Sequence, residues 1–185
     1  MSDIIVRTAD VDYTVRVQSG CLEQAGSLIA PLVQGRRAIL VTDEIVERLY
    51  SQPVLRSLRE TGFETISFAM TPGEQSKSLA MLERVYQAMH LGGITRKDVV
   101  IALGGGTVGD MAGFAAATYQ RGVRLVQIPT TLMAQVDSSI GGRTSLNTAW
   151  GRNQIGLSRH PWAVLIDPRT LRSLPRERLT EGMAA

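Results

Sequence analysis

The chain has 185 residues, 44% of them hydrophobic and 20% charged, with a formal net charge of +3. That is room for one domain with helices on both sides of a sheet, at an ordinary soluble composition. No apolar run reaches the roughly 18 residues of a membrane span, no secretory signal is visible, and the scattered arginines make no stripe for nucleic acid.

In chain order, Ile4–Thr8 and Tyr13–Gln18 alternate apolar and polar residues, which predicts an N-terminal antiparallel strand pair. Helical spacing of Leu22, Ala25, Leu28, Ile29 and Leu32 predicts a helix over 21–33, ended by Gly35. From residue 38 the pattern becomes strand-helix alternation. Strands are expected at 38–42, 64–69, 98–103, 124–128 and 163–167. Between them, 44–61 reads as helical but split by Pro53. Residues 78–91 read as a helix with Leu79, Leu82, Val85, Tyr86 and Met89 on one face, and 111–120 as another. The Gly-, Ser- and Arg-rich stretch 138–161 reads as an extended loop, and 176–185 as the start of a helix. The predicted fold is α/β: a mostly parallel, Rossmann-like sheet with helices on both faces and the N-terminal antiparallel pair.

Several residues could carry chemistry. Gly104-x-Gly106-x-x-Gly109 follows a strand and opens a helix, where bare backbone and free N–H groups attract a pyrophosphate. It departs from the dinucleotide fingerprint in lying on a middle strand, with no acidic residue about 20 positions later. Asp43, after the first parallel strand, reads equally as a ligand group or a helix N-cap. Thr130 and Thr131 end another strand and suit either a phosphate or a cap. Arg121, Arg143 and Arg152 lie near glycines and could fork onto a phosphate, though each alone reads as solvated. The single cysteine, Cys21, fits a buried hydrophobe in a reducing, cytoplasmic setting. His90 and His160, the only histidines, leave little for a metal site.

Five segments together resemble the 3-dehydroquinate synthase family: PGEQSKS (72–78), ALGGGTVGDMAGFAAATYQRG (102–122), IPTTLMAQVDSSIGGRT (128–144), GRNQIG (151–156) and VLIDPRTLRSLPRERL (164–179). The resemblance implies an NAD-binding N-terminal domain over 1–185. In the family a following helical domain completes the site around a divalent metal, zinc or cobalt. It implies Asp43, Glu74 and Lys77 near the adenosine ribose, and Gly105, Gly106, Gly109 and Asp110 around the phosphates and nicotinamide. Thr130, Thr131, Arg143, Arg152, Thr170, Leu171 and Ser173 are further implied cofactor contacts. Asp137, Arg143, Arg152 and Asn153 face the substrate, and Arg121 the substrate phosphate, from a neighbouring subunit of a homodimer.

The implied reaction is NAD-dependent phosphate elimination and cyclisation of 3-deoxy-arabino-heptulosonate 7-phosphate to 3-dehydroquinate, in the shikimate pathway of aromatic amino acid biosynthesis. Two family lysines are Arg143 and Arg152 here, an exchange that is not conservative at a tight site. Where the family carries a metal-ligating glutamate after Gly182-Met183-Ala184, this chain has Ala185, and the ligating histidines of the second domain are absent. The expectation is therefore a chain that binds no catalytic metal, binds NAD weakly and does not turn over alone. The rival readings are a non-enzymatic NAD-binding or dimerising subunit and another sugar-phosphate cyclase.

Overall fold

The computed structural model describes residues 2–9 and 11–184; Met1, Asp10 and Ala185 lie outside the described residues, so the expectation placed on Ala185 does too. The N-terminal pair forms as expected, β1 (Ser2–Val6) antiparallel to β2 (Tyr13–Val17), with Ile4 opposite Val15. The helix expected over 21–33 is instead three pieces: a 3-10 turn at Cys21–Gln24, α1 (Ala25–Ile29) and a second 3-10 turn at Ala30–Leu32. Pro31 accounts for the last break, since it cannot donate the bond that would continue α1.

β3 (Arg37–Asp43) runs into α2 (Glu44–Val46). The split expected at Pro53 does not occur. A π-turn at Glu47–Ser51 keeps helical backbone angles into α3 (Gln52–Glu60), and Pro53 falls in the first turn of α3, where a missing N–H costs little. β4 (Glu64–Met70) precedes α4 (Leu79–Leu91), which starts when Ser78 accepts from the Met81 N–H at 3.3 Å. The buried face of α4 is Met81, Leu82, Val85 and Met89; Leu79, expected on it, is exposed.

β5 (Val99–Gly104) is wholly buried, and α5 (Gly106–Thr118) begins at Gly106, not at the expected Met111. Glycine's low helix propensity hid this start. Packing overrides it, because Val108 and the run Met111–Ala116 are buried between the sheet and a later hairpin. β6 (Arg124–Pro129) leads through a π-turn at Ala134–Ser138 into the stretch expected to be loop. That stretch is an antiparallel hairpin, β7 (Arg143–Thr148) and β8 (Gly151–Ser158). β9 (Ala163–Ile166), a 3-10 turn at Pro168–Ser173 and α6 (Arg176–Met183) complete the described chain.

The main sheet has the order β1-β2-β9-β6-β5-β3-β4, parallel except for the β1–β2 pair. One face is covered by α4, α5 and the hairpin, through residues such as Val85, Met111 and Leu146. The other is covered by α1 and α3, through Ile29, Val54 and Leu58. The strand order reverses between the parallel neighbours β3 and β5: β3 continues outward to β4, while β5 leads the other way to β6. The helices after these two strands consequently lie on opposite faces, which opens a crevice beyond their carboxyl ends. That crevice is where Asp43 and the glycine turn emerge. No helix among the described residues is long and apolar enough to cross a membrane.

Candidate functional site

The glycine turn is shaped by close approach. Gly105 is the N-cap of α5, with no side chain bonded to the first-turn N–H groups. A β-carbon there would sit 3.0 Å from the Thr131 methyl, and one at Gly106 would sit 3.2 Å from Ser138 Oγ. The turn is thus bare backbone packed against the residues that follow β6. Its free N–H groups and the positive end of the α5 dipole point into the crevice, an arrangement suited to a diphosphate.

Asp43 does cap a helix: its Oδ1 accepts from the N–H groups of Ile45 and Val46, both at 2.9 Å. Its other carboxylate oxygen makes no hydrogen bond among the described residues. Cap and ligand group are therefore compatible at this position. Thr130 is buried, and Thr131 Oγ1 accepts from the Ala134 N–H at 3.2 Å, starting the π-turn that carries Asp137. Gln135, which sequence reasoning passed over, anchors that turn. Its buried amide donates to Pro129 O and Thr170 Oγ1, at 3.2 and 3.0 Å. Thr170 thereby serves the framework, and Ser173 Oγ meets the Tyr50 hydroxyl at 2.5 Å; Leu171 lies between them on the same 3-10 turn.

Glu74 and Lys77 are drawn to the hairpin side of the crevice. The Lys77 ammonium, 5% exposed, is in ion-pair contact with Asp110 and donates to Asn153 Oδ1 at 2.6 Å. Glu74 accepts from Thr107 Oγ1 and Asn147 Nδ2, each at 3.0 Å, and pairs with Arg152 at 3.2 Å. Ser145 Oγ lies 3.1 Å from Asp110 Oδ2 and 3.0 Å from Asn153 Oδ1. Asn147 ties the pieces together: its N–H donates to Lys77 O at 2.8 Å, and its Oδ1 accepts from the Asn153 N–H at 2.9 Å. The hairpin register shifts between Leu146 and Thr148, and such an irregularity re-aims a side chain. Asn153 itself holds a left-handed backbone, φ 55°. Desolvation opposes the charge on Glu74, but its hydrogen bonds from Asn147 and Thr107 and the Lys77 charge prevail, and its pKa is lowered. For Asp110 burial wins, and its pKa is raised against the pull of Lys77 and Ser145.

Ser145 and Asn147 do not stand out in the sequence, where β7 reads as loop. The alternation that buries Thr144 and Leu146 was the available signal, weakened by polar residues on both faces. The close packing of α5 on β7 needs Gly113, where a β-carbon would lie 2.6 Å from the Thr144 methyl. This approach brings Asp110, one turn earlier on α5, to Ser145.

An open cleft of about 620 Å³ joins these groups, lined in part by Asp110, Asp137, Ser138, Arg143, Ser145 and Asn153. Arg143 pairs with Asp137 at 3.1 Å, both well exposed. Arg121 is elsewhere. It follows the far end of α5, a helix of 13 residues and so about 20 Å long, at the opposite end of that helix from the glycine turn. Gln120 and Arg121 are both left-handed there, φ 47° and 67°. No group of three or more His, Cys, Asp or Glu that could hold a metal occurs among the described residues.

Residues 67–181 match the family model described as 3-dehydroquinate synthase N-terminal. The 3-dehydroquinate synthase of Streptococcus sanguinis (strain SK36) is 51% identical over 171 residues, covering 92% of this chain and 48% of that protein. The enzyme of the same name from Streptococcus gordonii (strain Challis) is 46% identical over the same coverage. The chain thus spans about half the length of these relatives. Among solved structures, 2-deoxy-scyllo-inosose synthase complexed with carbaglucose-6-phosphate, NAD+ and Co2+ superposes with a TM-score of 0.90 at 25% identity, over 98% of this chain and 49% of that one. ValA, the 2-epi-5-epi-valiolone synthase of Streptomyces hygroscopicus subsp. jinggangensis 5008 with NAD+ and Zn2+ bound, gives 0.84 at 30%, over 98% and 50%.

Proposed function

The chain belongs to the 3-dehydroquinate synthase family, by its N-terminal part, and from that premise we propose that it is an NAD-binding domain, spanning 1–185, of a 3-dehydroquinate-forming enzyme. The observation that carries this reading is the uncapped start of α5 at the sheet's reversal point. There the Gly105–Gly106 backbone donates to the NAD diphosphate, and the free oxygen of Asp43 accepts from a ribose hydroxyl. When bound, NAD supplies reversible hydride transfer. Thr131 sits against the same turn, while Thr170, Leu171 and Ser173 support the crevice wall.

The substrate we propose is 3-deoxy-arabino-heptulosonate 7-phosphate, lying in the cleft between Asp110 and the hairpin. Arg143 and Arg152 offer it guanidinium forks for carboxylate and phosphate oxygens, once released from Asp137 and Glu74. Asn153, held by Asn147, orients the substrate beside the Lys77–Asp110 pair. Asp137, freed from Arg143, can take up or return a proton at a substrate hydroxyl. Arg121 cannot reach this cleft within its own chain, so a role for it requires a second copy. A three-ligand set for the divalent metal expected of the family does not occur among the described residues.

The test is calorimetric titration of NAD into the purified chain, with phosphate release measured in parallel. Weak NAD binding without phosphate release from the heptulosonate phosphate is expected. Absence of binding at millimolar NAD would overturn the cofactor assignment, and phosphate release above background would overturn the claim that the chain alone is inactive.

A further inference from the structure

Asp137 and Arg143 line the open cleft together, and the chain joins them through residues 138–142. Their ion pair has side chains 51% and 76% exposed, and an exposed pair holds little by itself. The connecting segment is therefore fixed by something else. The π-turn ends its own bonding at Ile140, whose N–H donates to Asp137 O at 2.9 Å. Beyond it come two left-handed glycines, Gly141 (φ 88°) and Gly142 (φ 72°). Gly142 is wedged against the backbone that follows β8. A β-carbon there would lie 2.6 Å from the Arg159 carbonyl carbon, and its own carbonyl accepts from the Arg159 N–H at 2.8 Å. Gly141 stands in open space, with nothing within 4 Å of a β-carbon. Its N–H donates to the Tyr13 hydroxyl oxygen at 3.1 Å.

Tyr13 opens β2 and is 3% exposed. It belongs to a small buried cluster with Val15, Val164 and Ile166, against which Ile140 packs. Its ring also stacks on that of His160, which follows β8, with centroids 5.7 Å apart. The phenol is thus held by the sheet and by the chain after β8 before its hydroxyl meets the glycines. We infer that Tyr13 is a positioning residue for Arg143. By fixing the Gly141 N–H it sets how the chain enters β7, and so where the Arg143 guanidinium stands relative to Asp137 and the cleft.

The lever is short, because Arg143 is the first residue of β7 and follows Gly142 directly. Glycines have more backbone freedom to lose than other residues, so two in succession gain most from an anchor. Ring and hydroxyl divide the work: the buried ring supplies packing, and the hydroxyl supplies position. Tyr13 is not among the residues lining the cleft, and its effect on a ligand passes through the turn. The ligand side of this inference rests on the substrate proposed above; the tether itself does not.

Tyr13→Phe removes the hydroxyl and keeps the ring. In NMR spectra of the full chain without ligand, the Gly141 amide of this variant should exchange with solvent about tenfold faster. The Arg143 guanidinium resonance should move toward its position in Asp137→Ala, where the pair is gone. Gly141→Ala strains the turn without touching a neighbour, and should move the same resonance with Tyr13 intact. That second variant decides the matter if Tyr13→Phe folds poorly. With ligand, Tyr13→Phe should weaken binding of 3-deoxy-arabino-heptulosonate 7-phosphate by about threefold while NAD affinity stays within about twofold. A general loss of stability would not split the two. An Arg143 resonance unmoved in both variants, or substrate and NAD affinities that fall together, would overturn the inference. A wild-type chain that fails to bind the heptulosonate phosphate at millimolar concentration would overturn the substrate reading instead, and the ligand-free Arg143 resonance still decides the role of Tyr13.

Discussion

The glycine turn and the β7–β8 hairpin meet at Asp110, yet they are built by opposite means. The turn is backbone alone: Gly105 leaves the first N–H groups of α5 without a side-chain partner, and the small residues admit close neighbours. The hairpin side is a side-chain network in which Lys77, Glu74, Ser145, Asn147 and Asn153 bond to one another. An unsatisfied helix start has spare bonding capacity for a ligand. A satisfied network resists change and holds geometry, because each buried group loses its partner if another moves. One region is therefore expected to report on binding and the other on stability.

The largest loss is expected for Lys77→Met. It leaves the half-enclosed Asp110 carboxyl without its cation, and removing one partner of a buried pair costs about 3 kcal/mol. Urea unfolding should show that loss; a change within error would mean that the network is not structural. Asn147→Ala comes next, at about 2 kcal/mol, since it strips the bonds to Glu74 and to the Asn153 N–H. A carbon-detected titration should also find the Glu74 pKa moved back toward the ordinary carboxylate range in this variant. At the turn, Gly105→Val should cut NAD affinity at least tenfold while stability falls by only about 1 kcal/mol, because the new side chain meets the end of Thr131 rather than the backbone. Equal losses in both properties would erase the distinction. The smallest effect is expected for Arg143→Lys, whose pair with Asp137 is exposed: within about 0.5 kcal/mol by thermal unfolding.

The network also sets a pH dependence with two signs. The folded-state pKa of Glu74 is lowered, so its contribution is present above the unfolded pKa and is lost as pH falls through the folded value. Asp110, whose pKa is raised, acts the other way: the folded form gains relative stability as its carboxyl protonates, and loses it as pH rises through the folded value. Titration of both carboxyls by NMR should show Glu74 below and Asp110 above their ordinary ranges.

The sheet was legible because its central strands are continuous apolar runs such as Val99–Leu103, which only a doubly covered parallel sheet buries. The glycine turn was legible because its motif requires a strand before and a helix after it. The hairpin was not. Its strands are polar on both faces, and the turn at Ala149–Trp150 lacks the Asn-Gly or Gly chemistry that announces a two-residue loop. Two members of the side-chain network, Ser145 and Asn147, went unseen with it. Pro53 misled in the other direction: proline is tolerated at a helix's first turn, and the preceding π-turn creates one there. Asp43 was legible as a position but not as a choice between roles, because one carboxylate oxygen serves the cap and leaves the other free.

NAD bound across the start of α5 would perturb its first-turn amides, and backbone amide shifts during an NAD titration read this contact. Saturable shifts are expected at Gly105, Gly106 and Thr107 in the wild-type chain, and their loss in Gly105→Val. Saturable shifts confined to other parts of the chain, or none at millimolar NAD, would contradict it.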